Sequence, residues 1–169
     1  QKDAGGAVPA KTRRDPQRNI RQYLGTQPQE TLIELLLDAA KRDKLLHQAL
    51  TLKAERAAGG GHAAKAFRKA IDKATRVRGF IDWREVRGFA ANLDQVVASL
   101  GELLTADSAA MLVELAEYAI ERAEKSLEHI DDSNGDIGSI VQELGDLHLS
   151  ACELAKPEPQ ALAEHLFRL

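Results

Sequence analysis

The chain has 169 residues, 44% of them hydrophobic and 29% charged, with a net charge of −3; these proportions fit one globular domain and exclude a disordered or fibrous chain. Aromatic residues make up only 4%, and Ala and Leu dominate the apolar set, which favours closely packed helices over β-structure. No apolar run approaches the roughly 20 residues that cross a bilayer, no stretch has the pattern of a signal peptide, and the single Cys152 excludes an internal disulfide; a soluble, cytoplasmic protein with no membrane partner is expected.

The charge is unevenly spread. Residues 1–24 carry a net +4, residues 25–61 balance, residues 62–88 carry +5 and residues 89–169 carry −12. Such asymmetry points to nucleic acid or to an oppositely charged surface as a partner.

Residues 1–19 hold two glycines, two prolines and the pair Arg13-Arg14 without apolar periodicity, and read as a linker or arm. Residues 20–169 are expected to form a single helical domain. A short turn over Ile20–Leu24 is followed by Thr26 and Gln29, spaced as a capping box. The next helix carries Leu32, Leu35, Leu36, Ala39 and Ala40 and breaks near Arg42-Asp43; a further one carries Leu45, Leu46, Ala49, Leu50 and Leu52. Gly59-Gly60-Gly61 ends it. A basic helix over Ala63–Val77 turns Ala66, Phe67, Ala70, Ile71 and Ala74 inward. Asp82 and Glu85 predict a capped start for a helix to about Leu104, with Val86, Phe89, Ala90, Leu93, Val97, Leu100 and Leu104 in the core. Gly88 and Gly101 inside it suggest close approach of a neighbouring helix.

The stretch 107–155 organises the rest. Leu112, Leu115, Ala116, Ala119, Ala123, Leu127 and Ile130 recur at steps of three and four in a helix over Ser108–Ile130. Ile137, Ile140, Val141, Leu144, Leu147, Ala151 and Leu154 do the same in a second. The six residues Asp131–Asp136 join them into an αα-hairpin whose apolar face needs a cover. Gly135 is placed to end the first helix, with Ser133 or Asp136 capping the second. Beyond Pro157 and Pro159, Leu162, Ala163, Leu166 and Phe167 predict one more helix. Leu32-Ile33-Glu34-Leu35 echoes Leu112-Val113-Glu114-Leu115 at an offset of 80 residues. The expected fold is all-α, an irregular HEAT/TPR-like stack of αα-hairpins with about seven helices.

The order of several pieces carries a resemblance. Ile33–Leu37 to Arg42-Asp43, then Phe80-Ile81-Asp82-Trp83, then Asp131–Gly135 to His148-Leu149-Ser150-Ala151-Cys152, then Leu162–Phe167, resembles the helical region of bacterial SWIM zinc-finger proteins and a related helical family of unknown function. The match covers residues 20–169, and Asp131, Asp132, Ser133, Gly135, His148 and Cys152 are its most specific part. The zinc module that accompanies such regions needs Cys-x-Cys and Cys-x-His; with one cysteine this chain lacks it, and no zinc or DNA binding is implied. A chain from Gln1 to Leu169 reads as a piece of a longer protein.

Few residues suggest chemistry. In the acidic connector, an EF-hand with Gly135 sixth would place Ile130 and Val141 where carboxylates are needed, which excludes it. His148 and Cys152 are one helical turn apart, yet two ligands do not make a zinc site; His148 is expected at the core edge with a local hydrogen bond and Cys152 as a small apolar residue. Glu114, Glu117, Glu121, Glu124 and Glu128 form one acidic stripe, a solvated face or a docking face for a cationic surface. Lys65, Arg68, Lys69, Lys73, Arg76 and Arg78, with Arg13 and Arg14, form a candidate phosphate-binding patch without interleaved exposed aromatics; the same basic helix is also suited to lie beside the acidic hairpin. No catalytic constellation, metal or cofactor is expected. The functional expectation is a non-enzymatic interaction scaffold offering charged faces to a protein partner or to another region of its own chain. The alternative is an accessory nucleic-acid-binding module using the basic helix 62–79 and the N-terminal arm.

Overall fold

The computed structural model describes residues 16–59 and 61–156. Among them the apolar periodicity forms seven helices: α1 Pro16–Gly25, α2 Gln29–Arg42, α3 Lys44–Ala58, α4 His62–Ala74, α5 Val86–Gly101, α6 Ala109–Leu127 and α7 Asp136–Ala155. An isolated parallel bridge joins Ile81 and Ile130, with Ile81 N–H donating to His129 O at 2.9 Å and Asp131 N–H to Ile81 O at 3.0 Å. The fold is all-α, as the composition implies. Arg13, Arg14 and the helix expected at Leu162–Phe167 lie outside the described residues.

By internal packing the chain divides into two units, Gln1–Ala39 and Ala40–Leu169, and the division falls within α2. In the first unit, helix begins at Pro16, inside the stretch expected as linker; proline suits a first helical turn, where its missing N–H would have no partner. No residue of α1 is buried. On α2, Ile33, Leu36 and Leu37 are 41%, 51% and 54% exposed. Thr26 and Gln29 form no capping box. The Thr26 hydroxyl donates to Tyr23 O at 2.8 Å, because the unfilled carbonyls ending α1 lie closer to it than the start of α2.

In the second unit, α6 and α7 make the most extensive contact. Helix α5 packs on α7, α4 on α5 and α6, and α3 on α4 and α5, so α4 and α5 lie between α3 and the central hairpin. Leu93, Leu100, Leu112, Ile137 and Leu144 are 0% exposed in the core; each contributes roughly 1.5–3 kcal/mol by leaving water. The expected break at Asp43 is an N-cap, its carboxylate accepting Leu45 N–H at 2.9 Å and Leu46 N–H at 3.1 Å. Gly59, at φ 72° and ψ −173°, takes a positive-φ extended conformation open to glycine and ends α3.

Four local expectations change. Asp82 accepts Arg84 N–H at 3.0 Å in a turn, without a reciprocal contact from Glu85, and α5 starts only at Val86. Because α5 stops at Gly101, the phase shifts by one residue: Leu103 is 0% exposed and Leu104 is 38% exposed. No helix crowds Gly88 or Gly101; a Cβ at either would meet nothing within 4 Å. The α7 cap is neither Ser133 nor Asp136 but Asp132, whose Oδ1 accepts Ile137 N–H at 3.0 Å and Oδ2 accepts Gly138 N–H at 2.9 Å. Gly135, left-handed at φ 73°, bends the connector so that this carboxylate reaches over the helix start.

Candidate anion-binding groove

Helices α3 and α4 are joined by a three-residue connector, which makes them an antiparallel pair. Between them runs an open groove of about 580 Å³, within the size range of sites that hold small molecules or peptide side chains. Its apolar lining comes from Ala40, Leu52, Ala66 and Ala70, and the groove exists because α4 presents alanine there. Lys65, Lys69 and Lys73 recur every four residues along one wall, each step rising about 6 Å along α4. Lys41, Lys44 and His47 stand on the other, and His62 begins α4. Glu55 is the one carboxylate among the lining residues. Among the described residues, none of Lys44, Lys65, Lys69 and Lys73 is paired with an acid. Gln48, also on the wall, holds a buried side-chain amide nitrogen without a hydrogen-bond partner; its broad terminal torsion allows that donor to turn into the groove.

The structure divides the predicted basic patch. Lys65, Lys69 and Lys73 share the groove, whereas Arg68 faces α6: its Nη2 lies 3.7 Å from Glu114 Oε2 and its Cζ 4.9 Å from the centre of the Tyr118 ring. Asp72 extends this contact, accepting from Tyr118 Oη at 2.6 Å and lying 3.2 Å from Arg122 Nε. The basic helix thus does lie beside α6, through Arg68 and an acid of its own. The hydrogen bond to Asp72, then burial, push the Tyr118 phenol above its ordinary value. Arg76 and Arg78 follow the end of α4 and are exposed. Beside them Phe80 is 69% and Trp83 49% exposed, with Arg84 5.1 Å over the Trp83 ring, so exposed aromatics do interleave with arginines here. The sequence reading missed this because it took Phe80 and Trp83 with the resemblance and not with the charge.

The acidic stripe is divided too. Glu114 meets Arg68, Glu117 turns inward, and Glu121, Glu124 and Glu128 remain exposed. Glu117 Oε1 lies 3.0 Å from His148 Nε2, and Cys152 Sγ lies 3.7 Å from the same nitrogen. His148 is therefore not at the core edge: it is 2% exposed, and besides its local contact with Cys152 it meets Glu117, 31 residues away on α6. This is not a nucleophile's setting. Burial, then the Glu117 carboxylate, push the Cys152 thiol up, opposite to the shift that makes a reactive thiolate. Acid and thiol also share one ring nitrogen, whereas a relay needs them on opposite nitrogens. In the connector, Asp132 is committed to α7, and Asp131 accepts from the Ser133 hydroxyl and from its N–H. Among the described residues no three of His, Cys, Asp and Glu converge to hold a metal.

Lys41, Lys44, His47, Gln48 and His62 were not singled out from sequence. The balance of charge over residues 25–61 hides Lys41 and Lys44: three of its five acids, Glu30, Glu34 and Asp38, precede Ala40, while all of its cations lie from Lys41 onward. A narrower window shows that step.

Comparison with curated proteins finds no match, and neither does comparison with solved structures. A family model does match, over residues 18–169, nearly the whole of the described fold. The chain belongs to that family, DUF6880, a family of unknown function.

Proposed function

We propose that the protein is a non-enzymatic helical binding module whose working surface is the groove between α3 and α4, and that this groove takes an acidic segment of a protein partner or of another region of the same polypeptide. The observation that carries the reading is a row of unpaired lysines along an apolar lining. Carboxylates at helical spacing would meet Lys65, Lys69 and Lys73, while apolar side chains cover Leu52, Ala66 and Ala70. Exposed ion pairs are individually weak, so the apolar contact supplies much of the affinity and the lysines supply selection. The sequence resembles the helical region of bacterial SWIM zinc-finger proteins, which implies no activity for any residue here, and the buried thiol of Cys152 suits a reducing cytoplasm.

A second reading rests on a different surface. Phe80 and Trp83, exposed among Arg76, Arg78, Arg84 and Arg87, suit stacking against bases of a single-stranded nucleic acid.

One experiment separates them: fluorescence anisotropy of a labelled acidic amphipathic peptide and of labelled single-stranded DNA at about 50 and about 200 mM salt. The groove reading expects peptide binding that falls at least tenfold when Lys65, Lys69 and Lys73 are all changed to Glu, with Trp83→Ala without effect. DNA binding that is lost in Trp83→Ala would favour the second. No peptide binding at the lower salt would overturn the groove reading.

A further inference from the structure

Resting on the groove reading, we propose that the acidic segment it takes is α2 of a second copy of this chain, so that the protein self-associates. Glu30, Glu34 and Asp38 recur every four residues on α2, the same step as Lys65, Lys69 and Lys73 on α4. Rows with that shared rise of about 6 Å stay in register along a helix pair. Ile33 and Leu37 border the acidic row on α2 and are 41% and 54% exposed, large apolar side chains without a cover. The groove offers the converse, small alanines at Ala66 and Ala70 under cationic walls.

Helices α6 and α7 also carry exposed acids, and they fit less well: on α7 Glu143, Asp146 and Glu153 do not share the four-residue step of the lysines, and α6 lacks the apolar edge. The α6 glutamates Glu121, Glu124 and Glu128 are exposed, but Leu112, Leu115, Ala116, Ala119 and Ala123 are all at most 1% exposed. Helix α6 brings charge without an apolar edge, so a groove with an apolar lining prefers α2. Each copy then offers one acidic helix and one groove. Such a heterologous contact either closes, with two copies exchanging helices, or continues from copy to copy.

Light scattering coupled to size-exclusion chromatography on the full chain tests this. The wild type is expected to elute above the 18.5 kDa of a single chain at about 100 μM and about 50 mM salt. Lys65→Glu with Lys69→Glu reverses the groove, and Glu30→Lys with Glu34→Lys reverses α2; each pair should weaken association at least tenfold. Mixing the two variants, or combining all four changes in one chain, restores opposite charges and should restore assembly. That recovery also shows that the variants fold. A wild type that stays monomeric yet binds the acidic peptide overturns the self-association while the groove reading stands. If it stays monomeric and binds no such peptide, both fall. Assembly indifferent to the reversals, or not regained on mixing, also overturns it.

Discussion

Two αα-hairpins in the second unit use one architecture for opposite ends. Between α6 and α7, Leu112, Leu115, Ile137 and Leu144 close the interface so completely that each is at most 1% exposed. Between α3 and α4 the corresponding space is left open. Alanine stands at 66 and 70, Leu52 is the one buried residue of α3, and lysines take the walls. The antiparallel helix pair is the same; side-chain volume decides whether it becomes core or site. The acidic residues differ in the same sense. Asp132 and Glu117 of the closed hairpin are spent on a cap and on His148, whereas among the described residues Lys44, Lys65, Lys69 and Lys73 of the open pair are left without acids.

The contrast is sharpest in stability. Leu144→Ala removes a side chain from a filled interface and should cost about 2–5 kcal/mol in urea unfolding. Ala66→Leu adds volume to an open one and should change stability by less than about 1 kcal/mol, while blocking the acidic peptide. A loss for Ala66→Leu as large as for Leu144→Ala would mean that the groove is packed core and not a site.

Next in size is the cap. Asp132→Ala frees two N–H groups at the start of α7 and should lower stability by about 0.5–2 kcal/mol, because nothing else among the described residues accepts from them. An unchanged urea midpoint would show that α7 is held by packing alone.

The smallest effect is a pH slope. The folded Cys152 thiol sits above its ordinary value because of burial and the Glu117 carboxylate, so the unfolded chain loses this proton first as pH rises. The group's contribution is complete below the ordinary thiol range and is lost as pH rises through that range towards the raised value. Wild type should therefore lose more stability than Cys152→Ala between pH 7 and pH 10. Tyr118, raised by Asp72, adds a slope of the same sign that both proteins share, so the comparison isolates Cys152. Parallel slopes would show that the thiol is solvated in the native state.

The closed hairpin was legible in sequence and the open one only in part. Leu112 to Ile130 and Ile137 to Ala151 carry a spacing with one physical solution, burial against a neighbour. The groove has no such signature. Lys65, Lys69 and Lys73 were found as a charge row, but Lys41, Lys44 and His47 become its partners only when α3 folds back along α4. The capping boxes failed for a related reason. Thr26 had nearer carbonyls to satisfy, and Asp82 found its bond in a turn before the helix began. His148 and Glu117, 31 residues apart, meet through the hairpin register, which side-chain spacing within one helix cannot report.

The pairing of Ile81 with the segment around Ile130 has a consequence for the order in which the chain folds. Helix–helix contacts grow from residues near in sequence, but these two hydrogen bonds close a span from residue 81 to residue 131. Closing that span from an open coil carries a loop-entropy cost that grows with its length. Once α5 and α6 have packed, most of that cost has been met. The connector after α4 is therefore expected to lock after the helices it spans, as a latch on an assembled bundle.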